Sequence, residues 1–223
     1  MVATTNQSLA EHIRAQLQWD SRVESLGIDV NVSDRAATLT GTVPNYRSKR
    51  AAEEDAWMVG GLREVTNQIE VQRPSNSPAS ADSDIDLRIK NAIAWEPAID
   101  AGKIDVMVSG GVVTLRGSVD AYWKKFQVED DAYFVPGVVM VINEVAIVPT
   151  DRVEDEVIAR DIEAAFDRNA IINPDDITVE VNQGTVTLGG NVSSRAEWHA
   201  AYTTAMYTGG VMDVADRLDI RYV

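Results

Sequence analysis

The chain has 223 residues, 45% hydrophobic and 25% charged, the composition of an ordinary globular protein rather than a disordered or fibrous one. It has no cysteine, which excludes disulfides, zinc–thiolate and iron–sulfur sites and thiol catalysis. Its net charge of −15 repels nucleic acid and anionic lipid at long range, so contact with a lipid must come from a local patch.

The N-terminal stretch MVATTNQSLAEHIRAQLQ lacks a basic region followed by an apolar one, so it is not read as a secretory signal. The expected location is the cytoplasm, or the periplasm if a signal segment has been removed. No run of about 18 apolar residues predicts a membrane-spanning helix. Leu9, Ile13 and Leu17 recur at helical spacing and predict a first amphipathic helix. IDVNV at 28–32 then alternates, with Ile28, Val30 and Val32 on one face of a strand. SDR at 33–35 is a hairpin turn that sets Arg35 where glycine would be easier. TLTGTV at 38–43 predicts a second strand, with Leu39, Gly41 and Val43 inward. A second helix begins with PNYRSKR and ends before Gly61, which suits the positive φ of a helix C′ position. A third strand puts Val65, Asn67, Ile69 and Val71 inward, with Asn67 bonding a neighbouring backbone group.

The second-strand phrase returns as TLRGSV at 114–119 and TLGGNV at 187–192. Adding 76 carries the first unit onto the second, and a further 73 carries it onto the third, with no insertion inside a unit. Ile85, Ile89 and Ile93, then Ile158, Ile162 and Phe166, repeat the apolar stripe of the first helix. Gly41, Gly117 and Gly190 match, as do Gly61, Gly137 and Gly210, and the inward Asn67 recurs as Asn143 and Asp216. The predicted fold class is α+β: three tandem α-β-β-α-β units, each a three-stranded mixed sheet with two helices on one face. The boundaries are 1–73, a Ser/Pro-rich linker at 74–83, 84–148 and 149–223. The linker's length predicts that the second and third units pair more firmly than the first and second. Gly41, Gly117 and Gly190 are expected on the buried face, letting a helix come close or permitting a bulge. In TDRVEDEV, Thr150 or Asp151 is the expected N-cap, with Glu154 completing a capping box.

Chemistry is sparse. His12 and His199 read as solvated, and no nucleophile triad or phosphate-binding glycine motif occurs. DSDID at 82–86 starts like a calcium loop but lacks the later glycine and glutamate, so its acids fit a helix N-terminus. Neither metal nor cofactor is expected. The second helix of the middle unit opens with Tyr122, Trp123, Lys124, Lys125 and Phe126, the composition of a membrane-interface anchor. The competing reading has Tyr122 and Trp123 completing a small core or a contact between units. Met107, Met140, Ile142 and Ala146 give the middle unit an apolar outer sheet face where the first unit has Asn31, Glu64, Thr66 and Glu70, and such a face points to a partner.

The second-strand pattern V-x-L-x-G-x-V, the glycine 20 residues on, and the V-x-N-x-[IVL]-x-V ending resemble the BON domain, named for bacterial OsmY and nodulation proteins. The third unit departs from it with Asp216 in place of Asn. The resemblance implies an OsmY-like protein of three such domains, associated with bacterial stress, osmotic stress included. It supplies no catalytic residues to carry over, so the expectation is a non-enzymatic binding module. The expected partner is a phospholipid surface; the alternative is a protein-interaction scaffold or chaperone-like adaptor using exposed sheet faces, self-association included. Nucleic acid is not an expected partner.

Overall fold

Residues 5–23, 27–72 and 82–221 are described by a computed structural model. The first repeat comprises α1 (Asn6–Trp19), β1 (Ile28–Ser33), β2 (Ala36–Val43), α2 (Tyr46–Met58) and β3 (Glu64–Val71). The second comprises α3 (Asp82–Ala94), β4 (Ile104–Ser109), β5 (Val112–Val119), α4 (Tyr122–Tyr133) and β6 (Met140–Ile147). The third comprises α5 (Asp155–Asp167), β7 (Ile177–Asn182), β8 (Thr185–Val192), α6 (Arg195–Tyr207) and β9 (Asp213–Ile220). Each forms a three-stranded sheet with its second strand central. In the first and third sheets the hairpin pairs antiparallel and the last strand returns parallel, because a helix carries the chain back across the sheet. The fold class read from the sequence is therefore the one observed. By contacts within the chain, two compact units are distinguished: 1–95 with 106–115 and 129–142, and 96–105 with 116–128 and 143–223. The middle repeat is divided between them.

In the first repeat, the predicted stripe of Leu9, Ile13 and Leu17 packs with Val30, Val32, Leu39, Val43 and Ile69 in one core. The inner face of α2 is Ala51, Ala52 and Ala56, short side chains that let the helix lie close to the sheet. Caps start the helices: Thr5 accepts from Ser8 N–H for α1 and Asn45 from Ser48 N–H for α2. Within the first unit Tyr46 stacks on Tyr133 at 3.6 Å between ring centroids, and Arg50 pairs with Asp130. Helix α3 already includes Asp82 and Ser83; residues 74–81 of the expected linker lie outside the described residues.

Two local expectations are corrected. Gly41, Gly117 and Gly190 are not buried against a helix: Gly117 is exposed and the other two are half-buried. They are needed because φ is +118°, +127° and +110°, and because a Cβ would lie 1.9, 1.9 and 2.1 Å from the carbonyl oxygens of Gly27, Lys103 and Asp176. The close neighbour is the backbone entering the first strand of each hairpin. The capping box before α5 is also absent. Its N-cap is Glu154, without a side-chain cap bond, and Asp155 instead accepts from the N–H groups of Gln183 and Gly184. The same clamp recurs one repeat earlier, where Asp82 accepts from Gly110 and Gly111. The acids at the head of these helices thus hold the hairpin turn.

The expected left-handed positions and the asparagine bonds hold, with one shift in place. Arg35 takes φ +64° where the matched glycines take +79° and +76°. Its Nε donates to Gly61 O at 2.6 Å, a bond that helps hold the turn. Gly61, Gly137 and Gly210 have φ of +103°, +103° and +89°. Gly61 and Gly210 stand two residues beyond the caps Val59 and Thr208, one place later than expected. Asn67 Nδ2 donates to Lys49 O at 2.9 Å while its Oδ1 accepts from Ile69 N–H, and Asn143 repeats the arrangement on Lys125 O and Val145 N–H.

Candidate functional site

Helix α4 places the five residues expected at a lipid surface on different sides. Tyr122 is 7% exposed, and burial followed by a hydrogen bond with Tyr202 pushes its phenol well above the usual range. Trp123 is half-buried, its ring 5.8 Å from that of Tyr207 on α6. Lys124 is 17% exposed, pairs with Asp120 at 2.7 Å and lies over the Trp123 ring. Lys125 is half-buried and lends its carbonyl to Asn143. Phe126 is exposed and meets Tyr122 edge to face. The side chains are thus adjacent in sequence but do not form one outward patch.

Lys124 occupies the third position of its helix, and the matched residues explain why it turns inward. Ser48 there is buried in α2 and donates to Arg22 O. Glu197 there is buried in α6, where burial opposes its charge but donors from Ser193 and Asn173 outweigh burial and hold its carboxyl below the usual range. This position faces the loop leaving the first helix of each repeat, a direction that the amino-acid type alone does not reveal.

On the middle sheet, Met107, Met140 and Ile142 are 42%, 52% and 42% exposed, and Ala146 is exposed. In the first sheet Asn31, Thr38 and Thr66 form one cross-strand row, and Glu180, Thr187 and Ala215 form it in the third. The matched row of the middle repeat is Met107, Thr114 and Ile142, so its outer face is the apolar one of the three.

The largest exposed aromatics are elsewhere. Trp19, the last residue of α1, is 80% exposed, and Trp95, one residue past α3, is 85% exposed. They are matched positions 76 apart, and both lie off the buried stripe of their helices. Neither tryptophan stands out by periodicity, although their recurrence outside the stripe is a readable signal. The third repeat has Arg168 there.

Among the described residues, no group of His, Asp or Glu side chains is arranged to hold a metal ion, and no helix is long and apolar enough to cross a membrane. Glu197 and Asp55 are buried carboxylates, but Glu197 is consumed by backbone and hydroxyl donors. Asp55, its pKa raised by burial, accepts from Gln16 Nε2 at 3.4 Å, and among the described residues its Oδ2 has no partner.

A protein of Anaplasma centrale known as an uncharacterized protein in the gshII 5′ region is 30% identical over 122 residues, 54% of this chain and 81% of that one. Among solved structures, CdsD, a structural protein of the type III secretion system of Chlamydia trachomatis, aligns over 96% of this chain and 93% of its own. Its identity is 11% and its TM-score 0.28. The C-terminal domain of CdsD aligns over 96% and 97% with 10% identity and a TM-score of 0.27. Scores this low carry no argument. The BON domain, in contrast, matches three times, over 5–73, 81–149 and 154–222, each match spanning one α-β-β-α-β repeat. The chain therefore belongs to the BON domain family.

Proposed function

We propose that the protein is a non-catalytic module that attaches to phospholipid surfaces, with Trp19 and Trp95 making the first contact. The observation that carries this reading is the exposure of both indoles, 80% and 85%, at one matched position. An indole left in water forgoes the gain of burial, and its amphipathic ring sits well at the headgroup level of a bilayer. The net charge of −15 disfavours long-range attraction to anionic lipid, so contact rests on apolar insertion and depends little on salt. Lys124, already paired with Asp120, adds little, and within α4 the proposed contact narrows to Lys125 and Phe126. BON membership supports a bacterial stress response, osmotic stress included, as the setting.

Co-sedimentation with phosphatidylcholine vesicles, with and without phosphatidylglycerol, tests this. A fully buried large side chain contributes about 1.5–3 kcal/mol. Even partial insertion of two indoles therefore predicts that the Trp19→Ala/Trp95→Ala variant binds at least about tenfold more weakly. Lys124→Glu/Lys125→Glu should change binding less. A double-tryptophan variant that sediments like the wild type sinks the proposal.

The apolar outer face carrying Met107, Met140 and Ile142 supports a second reading, a scaffold that contacts protein through its middle sheet. Sedimentation velocity of Met140→Glu/Ile142→Glu against the wild type checks it. An association that survives both charges removes this face as the contact.

A further inference from the structure

The third residue of each second helix sits over a seam between that helix and the loop that leaves the first helix. In the first repeat, Ser48 closes the seam by donating to Arg22 O at 2.8 Å. In the third, Glu197 closes it by accepting from Asn173 N–H at 2.8 Å, from Ser193 N–H at 2.8 Å and from Ser193 Oγ–H at 2.6 Å. In the middle repeat, the ammonium of Lys124 turns to Asp120 instead, at 2.7 Å. A cleft of about 300 Å³ lies at this seam, within the second compact unit. Its walls include Ile99, Asp100, Lys103, Asp120, Lys124 and Val148. Lys103 and Asp100 form a looser pair at 3.8 Å.

We infer that this cleft binds a small zwitterion carrying a phosphoester and an ammonium group, the chemistry shared by a phosphoethanolamine headgroup and free phosphoethanolamine. Two lysines and two aspartates make the wall electroneutral. A bare anion taken up by Lys103 and Lys124 would stand against the Asp100 and Asp120 carboxylates on the same wall and be repelled by them. A ligand with both signs exchanges partner for partner: its phosphoryl oxygens take Lys103 and Lys124, and its ammonium takes Asp100 and Asp120. Lys124, aided by Lys103, holds the Asp120 carboxyl below the usual range, so it is ionised at neutral pH. Ile99 and Val148 flank the space for a short methylene linker. The volume is at the lower end of the range for small-ligand pockets, which suits a molecule of this size. The inference does not rest on membrane contact through Trp19 and Trp95, because a soluble probe reads it.

The test is a backbone-amide NMR titration of the full chain with O-phosphoethanolamine, inorganic phosphate and ethanolamine in turn. O-phosphoethanolamine should give saturable shifts centred on 98–103 and 118–124, and the other two much weaker ones. Hydrogen bonds to charged groups are worth enough that Lys103→Met and Lys124→Ser should each weaken binding about tenfold or more. Asp100→Asn should abolish the preference over inorganic phosphate. Lys103 is 63% exposed, so its variant folds even if Lys124→Ser does not. Equal binding of inorganic phosphate and O-phosphoethanolamine, or no saturable shift, or wild-type affinity in Lys103→Met, overturns the inference. Phosphatidylcholine vesicles with and without phosphatidylethanolamine then separate the sources. Displacement of the soluble probe only by phosphatidylethanolamine assigns a headgroup, and no displacement assigns the free molecule.

Discussion

The first and third repeats fold alike and solve the same two hydrogen-bonding problems with opposite polarity. On the inner face of the last strand, Asn67 and Asp216 hold the same register, opposite Leu39 and Leu188. Asn67 donates its amide to Lys49 O. Asp216 has no donor to give and instead accepts from Trp198 Nε1 at 2.7 Å, Trp198 standing where the first repeat has Lys49. At the helix–loop seam, Ser48 donates to a carbonyl while Glu197 accepts from N–H groups. The fold needs each seam bridged and is indifferent to which side donates. That freedom lets surfaces diverge over one architecture, from net −2 over residues 1–73 (8 basic, 10 acidic) to −8 over 150–223 (6 basic, 14 acidic).

If this contrast is right, substitutions that act through the backbone should cost both repeats alike, and those acting through side chains should not. The largest effect belongs to Gly41→Ala and Gly190→Ala. Each forces a Cβ to within 1.9 or 2.1 Å of a carbonyl oxygen at a φ that L residues avoid, and each should destabilise its repeat by about 3 kcal/mol. Urea unfolding of both variants gives the comparison, and a mild loss in one alone would break it.

Glu197→Ala comes next. It removes the charged acceptor of two part-buried bonds, from the N–H groups of Asn173 and Ser193, and should cost the third repeat about 2–3 kcal/mol at neutral pH. The folded carboxyl titrates below its ordinary value of about 4.3, so its contribution is complete above that pH and disappears as pH falls through the lower folded value. Wild type and variant should therefore converge in acid. A gap in urea midpoint that is independent of pH would show that Glu197 acts by packing alone.

The smallest effect sharpens the polarity argument. Asp216→Asn and Trp198→Lys should each cost about 1–2 kcal/mol, because the first sets donor against donor and the second removes the indole N–H. Together they recreate the pairing of Asn67 with the carbonyl of Lys49. A double-mutant cycle should return a favourable coupling of about 1 kcal/mol, and strict additivity would mean that the seam does not govern these residues.

The apolar stripes of the first helices, the alternating strands and the hairpin turns were legible in the sequence because each depends on local periodicity, and a thrice-repeated local pattern cancels accidents of composition. Leu9, Ile13 and Leu17 are buried as their spacing predicts, and Arg35 adopts the left-handed conformation that its matched glycines announce. The reason for Gly41 was not legible, since the carbonyl of Gly27 reaches it only through the antiparallel register that sets Ile28 against it. The head of α4 was misleading for a related reason. Tyr122 through Phe126 read as one anchor in line, but consecutive helical residues point about 100° apart. Tyr202 and Tyr207 of α6 then take up Tyr122 and Trp123, and Asp120 takes up Lys124. Sequence by itself thus determined which face of each element is apolar, because that follows from side-chain period alone. Tertiary structure decided which of those side chains another element covers, leaving Trp19 and Trp95 in solvent and turning Lys124 beside an open cleft, because cover comes from residues distant in the chain.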